Sequence, residues 1–403
     1  MRRVNAFSIH TDKLGQKCIA MFERIKRFSH IIVAAELLLI TLAVNISMPL
    51  FRVYAAASHL NNGQTSLVFA SYLVGMLPCY IFLGGLSDKL GRKPVLVVSV
   101  LCALIATVII TIRPGAPALI FARFFQGAGV GLGMGAGTAW MSEIIGHHPG
   151  APSKAAGLAS LFTALGFGGG ALATSLVLLN GFTLTPVSYY CLIITTTAGI
   201  VLLMAIPKLK SHGGRLLRLP YFPPNSMPIN IAIAICWAAT GVVIAIIPTQ
   251  LAKFGLTSYA GFCLVLVNWT GAFIQPFIRN YNPLKSVRIG LLLVPAGFAL
   301  VVLGCYRGSL PITLIGTAIV GLAAYGFSYL GGLSLIAGMA HGQKARAVSG
   351  YMFFGYIGFG VPAVALGYFA DHFGIINSLL LFECFITVLS ICLFIAFTRP
   401  GYL

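Results

Sequence analysis

Two ionisable residues sit inside long apolar runs: Glu36, in Ala34-Ala35-Glu36-Leu37-Leu38, and Arg123, in Phe121-Ala122-Arg123-Phe124-Phe125. An ionised side chain at the centre of a bilayer costs about 2.5–3.5 kcal/mol on insertion scales, so such groups are functional candidates by default. A carboxyl that can hold or release a proton is what proton coupling requires, and no basic residue in its own run neutralises Glu36. The alternative is a carboxyl close enough to the membrane boundary to reach water. Arginine stays charged, so Arg123 needs a counter-charge, backbone carbonyls or a wet cavity. A third group combines Asp88 and Arg92, in Ser87-Asp88-Lys89-Leu90-Gly91-Arg92-Lys93, with Glu143, in Trp140-Met141-Ser142-Glu143. The whole chain has seven Asp and Glu, so each one is readable. Their chemistry is proton carriage and ion-pair switching. No Ser/His/Asp or metal-ligand constellation points to an enzyme, and the nine cysteines lack metal spacing.

These residues need long helices to position them. Of 403 residues, 58% are hydrophobic and 8% charged, and mean hydropathy is +0.95, which describes a polytopic membrane protein. The net charge of +19 invites a nucleic-acid reading. The basic residues fall in short loops between apolar runs, however, where they set topology. Windows of about 20 apolar residues place spans near 30–51, 65–86, 94–112, 117–144, 155–179 and 185–206, then 229–249, 257–278, 287–306, 310–339, 346–370 and 375–397. The fold class is therefore all-α integral membrane, with about twelve transmembrane helices. The basic loops alternate with poorly charged ones, which puts both termini in the cytoplasm. The division is a cytoplasmic tail over 1–29, a six-helix half over 30–206, a linker over 207–228, a second half over 229–398 and a short cytoplasmic tail over 399–403. The basic first tail reads as a retained segment rather than a cleaved leader.

A weak internal repeat supports two halves. Lys154-Ala155-Ala156-Gly157 and Arg346-Ala347-Val348-Ser349-Gly350 each open a glycine-spaced helix, and these helices carry Gly166-Phe167-Gly168 and Gly358-Phe359-Gly360. Small residues at such spacing let helix backbones approach closely. The second half has no match for Arg123 (Thr317 falls there) or for the acidic loop, so proton chemistry is expected in the first half.

The pattern Gly84, Asp88, Lys89, Gly91, Arg92, Lys93 resembles the loop signature between the second and third helices of the major facilitator superfamily. Leu119-Ile120-Phe121-Ala122-Arg123-Phe124-Phe125-Gln126-Gly127-Ala128-Gly129 resembles that family's fourth-helix signature. The resemblance covers the whole chain. It implies two six-helix halves related by a pseudo-two-fold axis, working as a monomer by alternating access. It implies that Arg123 biases the protonation of Glu36, and that Asp88, Arg92 and Glu143 form a gating relay with Gly84, Gly91, Lys89 and Lys93. Asp88 is also expected to face the N-terminal end of the eleventh helix near Gly350. Substrate contacts are expected from Asn45, Gln126, Trp237, Asn268, Trp269, Gln275, Tyr325, Tyr329, Phe353 and Tyr356. Glu383 is expected to lie outside the cavity. The drug/proton antiporter branch carries G-P-x-x-G-G on its fifth helix, and here Gly166-Phe167-Gly168-Gly169-Gly170 puts phenylalanine where proline is expected.

The expected function is a proton-coupled exporter of small amphipathic compounds, such as drugs or a secreted metabolite or siderophore, in the inner (cytoplasmic) membrane. Its expected partners are a small-molecule substrate, protons and the lipid bilayer. No nucleic acid and no cofactor beyond the proton gradient are expected. The alternatives are a symporter or facilitator importing a nutrient, and a membrane sensor that does not transport.

Overall fold

The structure is a computed structural model, and it describes residues 28–83, 85–146, 151–207, 213 and 219–399. Gly84 and both expected tails apart from Phe28, Ser29 and Arg399 lie outside the described residues. Among the described residues, twelve helices are long and apolar enough to cross a membrane: α1 (Phe28–Ala57), α2 (Asn62–Phe82), α3 (Arg92–Ile112), α4 (Ala116–Ile145), α5 (Ser153–Asn180), α6 (Val187–Ala205), α7 (Met227–Lys253), α8 (Thr257–Ile278), α9 (Pro283–Arg307), α10 (Leu310–Met339), α11 (Lys344–Phe373) and α12 (Ile375–Thr398). The four 30-residue spans run roughly 45 Å at 1.5 Å per residue, longer than a hydrocarbon core of about 30 Å, so they must tilt or project.

The first span runs further than hydropathy indicates. Pro49 interrupts α1 with a 3-10 turn over Met48–Leu50, after which Phe51–Ala57 resumes the helix. The other boundaries follow local chemistry. Asn61 and Gln64 form a reciprocal capping box at the start of α2: Gln64 N donates to Asn61 Oδ1 (2.7 Å), and Asn61 N donates to Gln64 Oε1 (3.1 Å). Gly91, at φ +94°, makes the break between the short turn Leu86–Leu90 and α3, a conformation open to glycine at little cost.

Within the first half, missing side chains bring backbones together. A Cβ on Gly127 of α4 would stand 1.9 Å from Tyr72 O of α2, and one on Gly75 would stand 2.0 Å from Phe124 O. The Gly-Phe-Gly repeat is realised as a symmetric pair of wedges. Gly166 of α5 packs on α1 at Thr41, and Gly358 of α11 packs on α7 at Ala234, each inside its own half. Gly168 meets Trp269 of α8 and Gly360 meets Leu73 of α2, each across to the other half. The repeat thus places one helix of each half at the seam with the other.

The even spans return the chain, so the bundle has a basic end, with the 85–92 loop, and a far end, with the α1–α2 and α11–α12 connections. The described end of the linker docks on the second half: Tyr221 N donates to Arg346 O (3.0 Å) and Arg346 Nε to Leu219 O (2.8 Å).

Candidate functional site

Arg123 is 1% exposed on α4. Its Nη1 donates to Val44 O of α1 (2.9 Å) and to Gln126 Oε1 (3.0 Å), and its Nε donates to Phe69 O (3.4 Å). Phe69 and Tyr72 of α2 place their rings 5.0 and 4.8 Å from its Cζ. Neutral oxygens and two π faces thus stabilise the guanidinium. Gln126 in turn donates to Ala43 O (2.8 Å).

Arg123 borders a cavity between the halves with about 1100 Å³ of empty space. The first half lines it with Asn45, Tyr72, Tyr80, Ser160, Thr163 and Phe167, and the second with Trp237, Asn268, Gln275, Tyr325, Tyr329 and Tyr356. Leu322–Ser328 of α10 is π-helical. Such a bulge commonly marks functional sites, and this one carries Tyr325 to the cavity wall and ends one residue before Tyr329. Trp237 packs against Tyr325, Tyr329 and Tyr356, with ring centroids 5.4, 6.3 and 5.0 Å away.

The expected substrate contacts divide. Asn45, Trp237, Asn268, Gln275, Tyr325, Tyr329 and Tyr356 line the cavity. Gln126, Trp269 and Phe353 do not. Gln126 is spent on positioning Arg123. Trp269 Nε1 donates to Ala164 O (3.0 Å) in the α5–α8 seam, and Phe353 stands edge-on to Phe354. Sequence reasoning missed Tyr72, Tyr80 and Phe359, whose only signal was an aromatic ring on an otherwise apolar helix.

Glu36 and Arg123 are not brought together. The ion pairs among the described residues are both made by Arg92. Glu36 is 1% exposed and faces α6, where a Cβ on Gly199 would stand 2.4 Å from its Oε1. Its Oε2 has no hydrogen-bond partner. Val44, which holds Arg123, lies eight positions on, roughly 12 Å along α1. Glu383 also lies away from the cavity, on α12, where it accepts from Thr387 Oγ1 (2.9 Å).

At the basic end Arg92 pairs with Asp88, donates from Nε to Glu143 Oε1 (2.9 Å) and from Nη1 to Ser87 Oγ (2.6 Å). All four residues belong to the first half. Lys93 is not part of this cluster. Its Nζ donates to Met204 O (2.8 Å) and Ile206 O (2.6 Å), closing the C-terminal end of α6. Lys89 is exposed. Gly350 packs on Tyr221 and Phe222 of the linker. A cleft with about 760 Å³ of empty space opens between Leu83, Ser87 and Gly135 of the first half and Ala345, Arg346 and Ser349 of the second.

The far end is sealed by contacts between halves. Asp371 Oδ1 accepts from Asn62 N (2.8 Å) and Nδ2 (2.9 Å), and its Oδ2 accepts from Gly63 N (2.8 Å). An α11 carboxylate thereby takes the first orphan N–H groups of α2, where a helix favours negative charge. Deeper in this seam, the rings of Phe69 and Phe359 lie 5.4 Å apart. On the opposite side Gly261 N donates to Ser175 Oγ (3.0 Å) and Ser258 Oγ to Leu178 O (3.3 Å), joining α8 to α5.

Twelve spans in two halves, with one cavity at their interface sealed at one end, define a polytopic membrane protein of the alternating-access type of architecture. The sequence model of the Major Facilitator Superfamily matches residues 37–281, and the chain belongs to that family. It is 32% identical over 77 residues to the multidrug resistance protein MdtL of Salmonella paratyphi B, covering 19% of this chain and 20% of that one. It is 35% identical over 68 residues to MdtL of a Shewanella species, covering 17% of each. The match thus spans about a fifth of those curated relatives. Among solved structures, the nucleoside transporter NupG superposes with TM-score 0.74 at 14% identity, covering 91% of this chain and 100% of that one. A D-xylose-proton symporter superposes with TM-score 0.69 at 16% identity, covering 90% and 96%. At these identities the likeness shows the fold.

Proposed function

We propose that the protein is a secondary active transporter that exports small amphipathic compounds in exchange for protons. In this reading it is a monomer in the cytoplasmic membrane with both termini inside the cell. The observation that carries the transport reading is the cavity, which lies between two halves that are joined at the far end and separated by a cleft at the basic end. Rocking of the halves about such a site alternates its access. Export is favoured by the short likeness to multidrug resistance proteins. The Asp88–Arg92–Glu143 cluster acts as the gating element of the basic end.

The proton role falls to Glu36, a buried carboxyl with one oxygen unpartnered beside a glycine of α6. Charged and neutral carboxyls differ greatly in cost at such a place, so proton binding is coupled to the packing of α1 on α6. Everted vesicles loaded with a pH-sensitive dye test this. Substrate-induced proton movement is expected from the native protein and is expected to fall at least tenfold in Glu36→Gln. Unchanged coupling in that variant removes the proton role, and accumulation of solute in right-side-out vesicles reverses the direction.

A further inference from the structure

Among the described residues, the cavity is lined by one charged side chain, and it is a cation. No Asp, Glu, Lys or His accompanies Arg123 in its lining, and the groups that hold Arg123 are neutral. Among the described residues its hydrogen bonds run through Nε and Nη1, and none runs through Nη2. A second donor is also unspent: Trp237 lines the cavity at 5% exposure, and its Nε1 is buried with no hydrogen-bond partner. The amide nitrogens of Asn45, Asn268 and Gln275 are committed to Phe167 O (2.7 Å), Leu264 O (2.8 Å) and Tyr325 O (2.9 Å). Those commitments leave the amide oxygens as acceptors, so the demand for an acceptor that brings negative charge comes from the Arg123 guanidinium, the one charge in the lining, with the Trp237 N–H beside it.

We propose that the central cavity takes organic anions: compounds with a compact anionic head, such as a carboxylate, that meets Arg123, and a flat aromatic body that lies among Trp237 and the tyrosines around it. This rests on the reading of the cavity as the transport site and names its substrate class. A buried guanidinium without a carboxylate leaves its charge to be answered by the ligand, and a charge-assisted contact to a carboxylate is roughly twice as strong as a neutral one. A lipophilic cation in the same space meets repulsion from Arg123 at low dielectric, which the aromatic walls offset only in part because cation–π contacts are the weaker term. Flat rings fill aromatic walls with little loss of internal freedom, and π faces accept offset or edge-on partners.

The test is a charge series on one ring system, measured by titration calorimetry on the purified full chain: 2-naphthoate, 2-naphthylmethanol and 2-naphthylmethylamine. The expected order is anion over alcohol over amine, with naphthoate at least tenfold tighter than the amine. Arg123→Gln is expected to erase the preference for the anion while the alcohol binds within threefold of its native affinity. Trp237→Phe, which removes the N–H and keeps a ring, is expected to weaken naphthoate threefold to tenfold. The series on the native protein decides the matter even where a variant does not fold. An amine that binds as tightly as the anion, or an anion preference that survives in Arg123→Gln, overturns the proposal and leaves the transport site standing. Absence of binding by all three probes overturns the site reading and the proposal together.

Discussion

The two ends of the bundle use carboxylates in opposite ways. At the far end, Asp371 of α11 reaches across to the first turn of α2, joining halves through residues 309 positions apart in the chain. At the basic end, Asp88 and Glu143 converge on Arg92 within a single half, and a cleft separates that half from the start of α11. An acid that bridges halves holds one access closed, whereas an acid pair within a half braces a surface that the other half can meet or leave. Under the proposed alternating-access function, the far seal sets which state is populated and the basic cluster sets how rigid one gate surface is.

The strongest way to break this comparison is to wedge the α5–α8 seam at the level of the cavity, below the far-end contacts. A Cβ on Gly168 would stand 2.3 Å from Trp269 Nε1, and Trp269 is anchored to Ala164 O (3.0 Å). Gly168→Leu is expected to cost the sealed state about 3 kcal/mol, the upper range for overpacking. Spin labels across α5 and α8 at the far end should report longer distances. Unaltered distances would mean that the seam has slack that the static contacts do not reveal.

Arg92→Ala comes next. It leaves Asp88 and Glu143, both partly buried, without their shared cation, and is expected to lower stability by about 2 kcal/mol. A lower melting temperature with unchanged far-end distances fits a brace within one half. A shift in those distances would show that the cluster already couples to the other half.

Asp371→Ala removes a helix cap made in a mostly exposed place. The expected effect is about 1 kcal/mol, the usual worth of a cap, or roughly a fivefold shift of the equilibrium toward an open far end. Cysteine accessibility at Phe69 or Phe359 would detect it. If the accessibility is the same with and without Asp371, the aromatic contacts alone hold the seal.

Lys93→Met is the smallest and sharpens the comparison by contrast. It leaves the carbonyls of Met204 and Ile206 without this donor, at a cost of roughly 0.5–1 kcal/mol, visible as a small drop in melting temperature. Neither end should change its spacing, and a change would return Lys93 to the gating group.

The twelve spans were legible because hydrocarbon thickness fixes a helix length and penalises charge, both of which are local properties of the sequence. The basic cluster was legible through the resemblance of its loop to the family signature, and the structure sets Asp88 and Arg92 on either side of the break at Gly91. The far seal was not. Asp371 reads as an ordinary loop acid, and nothing near it announces a helix start 309 positions earlier. That Glu36 and Arg123 are not paired in this structure has a related reason. Membership of two cavity-lining helices does not say which turn or which face each side chain occupies, and Glu36 faces Gly199 of α6 while Arg123 is held by Val44 O.

By itself the sequence determined the membrane class, the number of spans, the two-half division and the paired glycine wedges of α5 and α11. Apolar length and small-residue spacing act along single helices. Only the tertiary structure decided that Arg123 borders the cavity without an acid, that Glu36 faces Gly199 of α6 instead of the cavity, and that the two ends are held differently. Those outcomes depend on which helix faces meet, and that is set by packing among segments far apart in the chain.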